Sequence, residues 1–434
     1  MANKAKRELQ SMSLKVLVDN EKNRVVFAES GKDFVDVLFS FLTMPIGTIV
    51  RLIRSQPFVV EIGCMNNLYE SVAKLDVQHL CTPVCKTMLL SPRSSSEAHS
   101  RKLKVNIDDT EPTQYYICPL RCCHRSYYIQ SIYKNVRCRC GKEMEYEHNI
   151  GMLNMANEDQ GVFVKETIKF IISDDLHVTP MSTMTCLSLL SKLGIKIEVL
   201  HLLMSLLSSK TPLTNSVLPE SVILDQIQFD PRNMTQPKDE RDADPDDKKL
   251  RVKLMVSKSN NKVLYAEAGE DFGGLILSFL TIPLGSIVEL LVRDSPWQCV
   301  NKLYESVEHL SVGNYIKSNE CKNMLIHPKL APYFGCDNQL LGIEEAVLPR
   351  LSFADVVNPK LLTGEDRSGA LSSISVISLF YSLNVPISDF EERVVTVGKK
   401  EALSLLKASL FSKSSALTDA FRFNLSLKKP KQEK

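Results

Sequence analysis

Residues 14–53 recur without a gap as residues 252–291, and 18 of the 40 aligned positions are identical. Ala28-Glu29-Ser30-Gly31-Lys32-Asp33-Phe34 returns as Ala266-Glu267-Ala268-Gly269-Glu270-Asp271-Phe272. Ser40-Phe41-Leu42-Thr43-Met44-Pro45-Ile46-Gly47 returns as Ser278-Phe279-Leu280-Thr281-Ile282-Pro283-Leu284-Gly285. A duplication of this length constrains architecture more than any composition can, because both copies must satisfy one local fold.

Each copy predicts a hairpin followed by two helices. Lys15–Val18 and Arg24–Ala28 are rich in branched residues and flank the polar stretch Asp19–Asn23, which is the pattern of a β-hairpin. From Asp33 the period lengthens. Phe34, Leu38 and Phe41 fall at helical spacing, widened by Val37 and Leu42. Ser30 and Asp33 suggest a capping box. Pro45 and Gly47 should stop this helix, and Ile46 to Ile53 should restart as a second one. The charge-free runs 37–50 and 272–288 carry proline and glycine and fall short of the ~20 apolar residues of a spanning helix. They are expected to be buried helices, so no membrane span is expected.

Further blocks match beyond the first. Asn66–Val72 pairs with Asn301–Val307, and Cys85–Pro92 with Cys321–Pro328. Cys85 and Cys321 stand alone among apolar neighbours and are expected to be small core residues. Val162–Val164 and Phe170–Ile172 are expected as short strands. Ser182–Ile195 aligns with Ser372–Val385, with Leu187, Leu190 and Leu193–Gly194 as a capped helix. Glu198–Leu203 aligns with Glu401–Leu406, leaving 13 residues, Ser388 to Lys400, without a counterpart. They contain the strand-like Arg393–Val397. The first half is therefore expected to lack a strand and to show an unpaired edge.

The expected fold is α+β: two tandem homologous halves, each a β-hairpin plus helices, the first carrying a cysteine-rich insertion. The boundaries are 12–220 for the first half with its insertion at 93–160, a charged, proline-containing linker at 221–249, and 250–427 for the second half. The net charge of +2 gives no nucleic-acid signal. Met1–Gln10 lacks an apolar signal core. An intracellular setting is expected, most simply cytoplasmic, with the basic tail Lys428-Lys429-Pro430-Lys431 leaving the nucleus open. In a reducing compartment the 12 cysteines are expected as thiols or metal ligands before disulfides.

The segments Val18–Gly47, Leu68–Val72, Ile172–Leu176 and Ser208–Thr214 resemble the plant proteins grouped as domain of unknown function 674, and the resemblance runs from about Leu14 to Leu427. It implies a plant-specific, often internally duplicated protein with no established activity, substrate or cofactor. It supplies no catalytic residues. The 13-residue difference between the halves and the weak second match to Ser173-Asp174-Asp175 depart from the family pattern.

No Walker loop, GxGxxG, HExxH or GxSxG motif is present. The pairs Asp108-Asp109 and Asp174-Asp175 are expected in surface turns. Cys122-Cys123-His124 are too close in sequence to make a nucleophile–base pair. The informative cluster is Cys118, Cys122, Cys138 and Cys140, with Cys123 and His124 as substitutes and Gly141 after the last cysteine. Two closely spaced cysteine pairs joined by a short segment are a structural Zn2+ layout, although spacings of three and one intervening residues are not the standard ones. The alternative is a cluster of thiols. The segment Gln114 to Gly151 carries few large aliphatic residues, so a metal is expected to supply folding energy that packing cannot. The reading is a non-catalytic binding or scaffold module that takes a protein partner. Its rival is an enzyme of unrecognised class using a cleft between the two halves.

Overall fold

A computed structural model of the chain describes residues 11–57, 60–80, 82–108, 113–118, 128–138, 140–148, 161–166, 168–181, 193–218, 249–292, 295–332, 334, 340–347, 354–356, 386–412, 415–422 and 425. It is α+β. In the amino-terminal part, β1 (Ser11–Asp19) and β2 (Arg24–Ser30) lead to α1 (Lys32–Ser40), α2 (Ile46–Arg54), α3 (Met65–Lys74), α4 (Pro83–Leu90) and the short α5 (Glu97–Ser100). Then come β3 (Tyr115–Ile117), β4 (Tyr128–Ser131), β5 (Val136–Arg137), β6 (Glu143–Met144), β7 (Tyr146–His148), β8 (Phe170–Ser173), β9 (Val178–Pro180), β10 (Leu193–Glu198), α6 (Val199–Ser208) and α7 (Pro212–Val217). The carboxy-terminal part has β11 (Leu250–Ser257), β12 (Val263–Glu267), α8 (Glu270–Ser278), α9 (Leu284–Leu290), α10 (Gln298–His309) and α11 (Asn319–Ile326). It continues with β13 (Ala354–Val356), β14 (Phe390–Val397), α12 (Lys399–Phe411) and α13 (Ala416–Ala420).

The two copies of the block take the same local structure. Each hairpin is antiparallel, and its register shifts at the same aligned step, Leu17/Val18 and Met255/Val256. Each turn places an asparagine in the left-handed region, Asn23 at φ 46° and Asn261 at φ 55°, a conformation asparagine tolerates better than most residues. The proline stop works as expected: Pro45 and Pro283 are the extended residues immediately before α2 and α9. The repeated Ser-Phe-Leu-Thr segment folds as a buried 3-10 turn whose hydroxyls are satisfied locally. Ser40 Oγ donates to Val37 O at 2.6 Å and Ser278 Oγ to Leu275 O at 2.7 Å. The capping box does not form, because Ser30 closes β2 and donates to Gly31 O, and Gly31 caps α1 without a side-chain bond.

The expected missing strand is a second correction. The first sheet has the order β10-β1-β2-β8-β9, the second β12-β11-β14. Ile195 lies opposite Leu14 as Val395 lies opposite Val252. Since Leu14 aligns with Val252, β10 is the counterpart of β14, and the edge of β1 is paired. Leu193 and Gly194, read as the end of a helix, open this strand; residues 182–192 lie outside the described residues. Part of the length difference falls in the following helix, which is 10 residues in α6 and 13 in α12.

The two parts meet through reciprocal contacts. Pro45 and Pro283 form an antiparallel bridge, with Ile46 N donating to Ile282 O at 3.0 Å and Leu284 N to Met44 O at 2.9 Å. A Cβ on Gly47 would lie 2.9 Å from Leu280 O and 3.0 Å from Leu89 O, and one on Gly285 would lie 3.0 Å from Leu42 O and 2.9 Å from Leu325 O. The Pro-x-Gly motif thus permits a close backbone approach. Further out the parts interlock. Cys64 Sγ donates to Ser412 O at 3.0 Å and Cys299 Sγ to Ser209 O at 3.3 Å. Residues 161–166 form a strap across the junction, where Lys165 N donates to Tyr315 O and Lys317 N to Phe163 O. Within 162–164, expected as a strand, only Val164 makes a bridge, to Ile316. No helix among the described residues is long and apolar enough to cross a membrane.

Candidate metal centre

Cys118 follows β3, the strand flanked by β4 and β7 in the sheet β13-β4-β3-β7. Cys138 and Cys140 sit in the tight turn that joins β5 to β6. The turn is built by backbone bonds: Cys138 N donates to Lys142 O at 2.8 Å and Gly141 N to Cys138 O at 2.8 Å. Gly141 has φ 83°, a left-handed conformation that glycine adopts without steric cost. This is the role its position after Cys140 suggested. Val136 pairs with Met144 below the turn, and both are buried.

The three sulfurs lie within 4.8 Å of one another, and Cys118 Sγ is 3.5 Å from Cys140 Sγ. Ligands on a tetrahedral zinc with bonds of about 2.3 Å stand about 3.8 Å apart, so these three residues are close enough to hold one metal ion. Cys118 and Cys138 are buried and Cys140 is exposed. Cys122, Cys123 and His124, named in the sequence as a fourth ligand and its substitutes, lie outside the described residues.

The insertion does pack, contrary to the expectation from its few aliphatic residues. Ile132, Tyr133, Val136 and Met144 are buried, as are Cys118 and Cys138. The core is shared: the Tyr133 ring centroid is 6.4 Å from that of Phe334, and β4 pairs in parallel with β13, both from the carboxy-terminal part. Burial pushes the Tyr133 hydroxyl well above the ordinary tyrosine range, although Arg93 nearby opposes this. The aromatic residues that do this packing were visible in the sequence, but nothing in their spacing said which distant segment they would meet.

The other residues singled out in the sequence are placed in structural roles. Cys85 and Cys321 are buried core residues, as expected. Asp174 is a correction. It lies in a turn, as expected, but is buried there, and accepts from Thr214 N and Thr214 Oγ1 at 2.8 Å and from Arg24 Nε at 2.8 Å. Asp175 instead accepts from Ser173 Oγ and His177 N. Asp108 gives its backbone oxygen to Arg51, and Asp109 lies outside the described residues. Cys299, at the junction, is unsuited to act as a nucleophile: burial, then Asp175 and Asp174, push its thiol up to about 12. A cavity of about 380 Å³ is lined by amino-terminal residues alone, among them Ser11, Ser30, Asp33, Phe34 and Lys104.

One buried charge escaped the sequence reading. Asp36 of α1 is 1% exposed and accepts from Val162 N, Phe163 N and Val164 N at 2.6, 2.7 and 2.9 Å. Burial raises its pKa, opposed by those three amides and by Lys317. A lone carboxylate inside the stripe Phe34–Leu38 was the available signal, since a buried charge needs dedicated donors.

A family model described as a protein of unknown function (DUF674) matches residues 8–368. The chain belongs to the DUF674 family. The matched span holds all the cysteines of the candidate centre, so the site falls inside the DUF674 region, while β14, α12 and α13 lie beyond its end. No curated protein and no solved structure matches this DUF674 chain.

Proposed function

We propose that this DUF674 protein is a non-catalytic binding or scaffold module, built from two tandem copies of one unit, 12–220 and 250–427, joined by a linker at 221–249. The insertion at 93–160 is stapled by a structural zinc ion on Cys118, Cys138 and Cys140, with Cys122 as the fourth ligand and Cys123 or His124 as its substitute. The closeness of the three sulfurs carries this reading. Four protein ligands would leave no open position for a reacting water, so the ion would be structural. The module acts inside the cell, where thiolates remain available to metal, and presents the stapled insertion to a protein partner.

The scaffold reading is supported over a cleft enzyme by the junction itself. The surfaces that would wall a cleft are in backbone contact at Pro45 and Pro283, and the neighbouring Met44, Ile46, Ile282 and Leu284 are buried. Elemental analysis of the full chain, purified without added metal or chelator, tests the zinc site. About one equivalent of zinc is expected, and Cys138→Ser should lower it at least about tenfold, because a lost thiolate ligand removes much of the binding free energy. Less than a tenth of an equivalent in the parent protein would sink the site.

A further inference from the structure

We propose that Cys118 and Cys140 form a peroxide-responsive dithiol whose oxidation to a disulfide ejects the metal from the centre. The disulfide rests on the exposure and spacing of the two sulfurs; the ejected ion rests on the zinc reading above.

Two observations single out this pair. Among the described cysteines only Cys140 is exposed; Cys64 is half-buried, while Cys85, Cys118, Cys138, Cys299 and Cys321 are buried. Among these described thiols a small oxidant in solvent therefore reaches Cys140 first. Its resolving partner is already beside it, since Cys118 Sγ stands 3.5 Å away across 22 positions of sequence. A disulfide needs about 2.05 Å, so side-chain rotation must close about 1.5 Å. Cys138 is the poorer partner. It sits two residues from Cys140 in a turn pinned at Cys138 N, Cys138 O and Gly141 N, and joining the two would close a small, strained ring.

The chemistry balances with hydrogen peroxide as oxidant. The sulfur of Cys140 takes one peroxide oxygen as the O–O bond breaks, giving a sulfenic acid and one water. The sulfur of Cys118 then attacks that of Cys140. The S–S bond forms, the S–O bond breaks, and the oxygen leaves as a second water. Two thiols and one peroxide give one disulfide and two waters; if the sulfurs start as zinc-bound thiolates, two protons come from solvent. A disulfide sulfur is a far weaker zinc ligand than a thiolate, so the ion loses two of its ligands at once. Cys138 and the fourth ligand cannot retain it alone. Thiol reductants reverse the sequence and let metal return.

The test uses the full chain, reduced, desalted and treated with graded hydrogen peroxide. A chromogenic chelator follows zinc, intact mass follows the loss of two hydrogens, and non-reducing peptide mapping locates the bond. The expected result is a Cys118–Cys140 crosslink that grows in step with about one equivalent of released zinc and is undone by dithiothreitol. Cys140→Ser should release zinc at least about tenfold more slowly, because the exposed sulfur is gone. Cys118→Ala gives a second check. It should leave a Cys140 sulfenic acid that dimedone traps, an outcome that does not need the metal.

A first crosslink mapped to any other pair, Cys122 included, would overturn the proposal. So would zinc release from Cys140→Ser at the parent rate. The two readings fail separately. A Cys118–Cys140 crosslink in protein that never held zinc defeats the zinc site and upholds the dithiol. Zinc-loaded protein that forms no such crosslink does the reverse.

Discussion

Asp36 and its aligned partner Gly274 mark where the two copies of the block differ in work. Asp36 gathers three amides of the strap at 161–166, and the strap then crosses to Tyr315, Ile316 and Lys317. His99 touches the same segment, its ring stacked 6.1 Å from that of Phe163. A glycine cannot hold such a strap, which accounts for an aspartate at this buried position in the first copy alone. Asp36→Asn should keep the size and lose the function. Whichever way the amide is turned, its NH2 faces at least one of the three backbone donors. The expected cost is about 1–3 kcal/mol, the usual penalty for leaving buried donors without acceptors. Urea unfolding measures it, and hydrogen exchange at Lys165 and Lys317 should quicken as the strap loosens. An Asn variant of parent stability and parent exchange would show that the strap does not depend on the carboxylate.

At the scale of elements, legibility followed the periodicity. The hairpins, the proline-stopped helices and the strand at Arg393–Val397 were readable because each carries its period within its own residues. The strand β10 was misread because Leu187, Leu190 and Leu193 offered a competing helical spacing, capped by Gly194. The deciding signal was the alternation of Ile195 and Ile197 with Lys196 and Glu198: Ile197 is fully buried and Lys196 exposed, as a period-2 strand with one buried face requires. Of the candidate metal centre, the closeness of Cys118, Cys138 and Cys140 was legible as a cysteine pattern. Its packing was not, because Tyr133 meets Phe334 through pairing between remote segments. The repeated Pro-x-Gly element gives a direct test. Gly47→Ala and Gly285→Ala each push a methyl group against carbonyl oxygens and a proline ring at 2.9–3.0 Å. Each should cost about 1–3 kcal/mol as overpacking. Gly273→Ala is the control. That glycine is exposed in α8 with nothing within 4 Å of its Cβ position, and the change should stabilise by about 0.4–1 kcal/mol. Chemical denaturation reads all three, and equal effects at Gly47 and Gly273 would remove the close approach as the reason for the motif.

For the whole molecule, the reciprocal contacts argue that the two proposed units are one folding body and not beads on a linker. Each lends the other elements of its core: Cys64, just before α3, bonds to the end of α12, and Cys299, at the start of α10, bonds to the end of α6. An arrangement of this kind is what two separate copies would form as an isologous pair, where the same patches meet across a two-fold. A linker at the proposed 221–249 would then serve to keep the copies at high effective concentration. A protease site inserted between Gln236 and Arg241 of the full chain tests this. After complete cleavage the two fragments should elute together at the mass of the intact protein and separate only in denaturant. Unfolding of the cut protein should become concentration-dependent, because rejoining is now bimolecular. Fragments that part in native buffer at micromolar concentration would mean that the junction at Pro45 and Pro283 is held by the chain's continuity, and the proposed boundaries would then mark two ordinary domains.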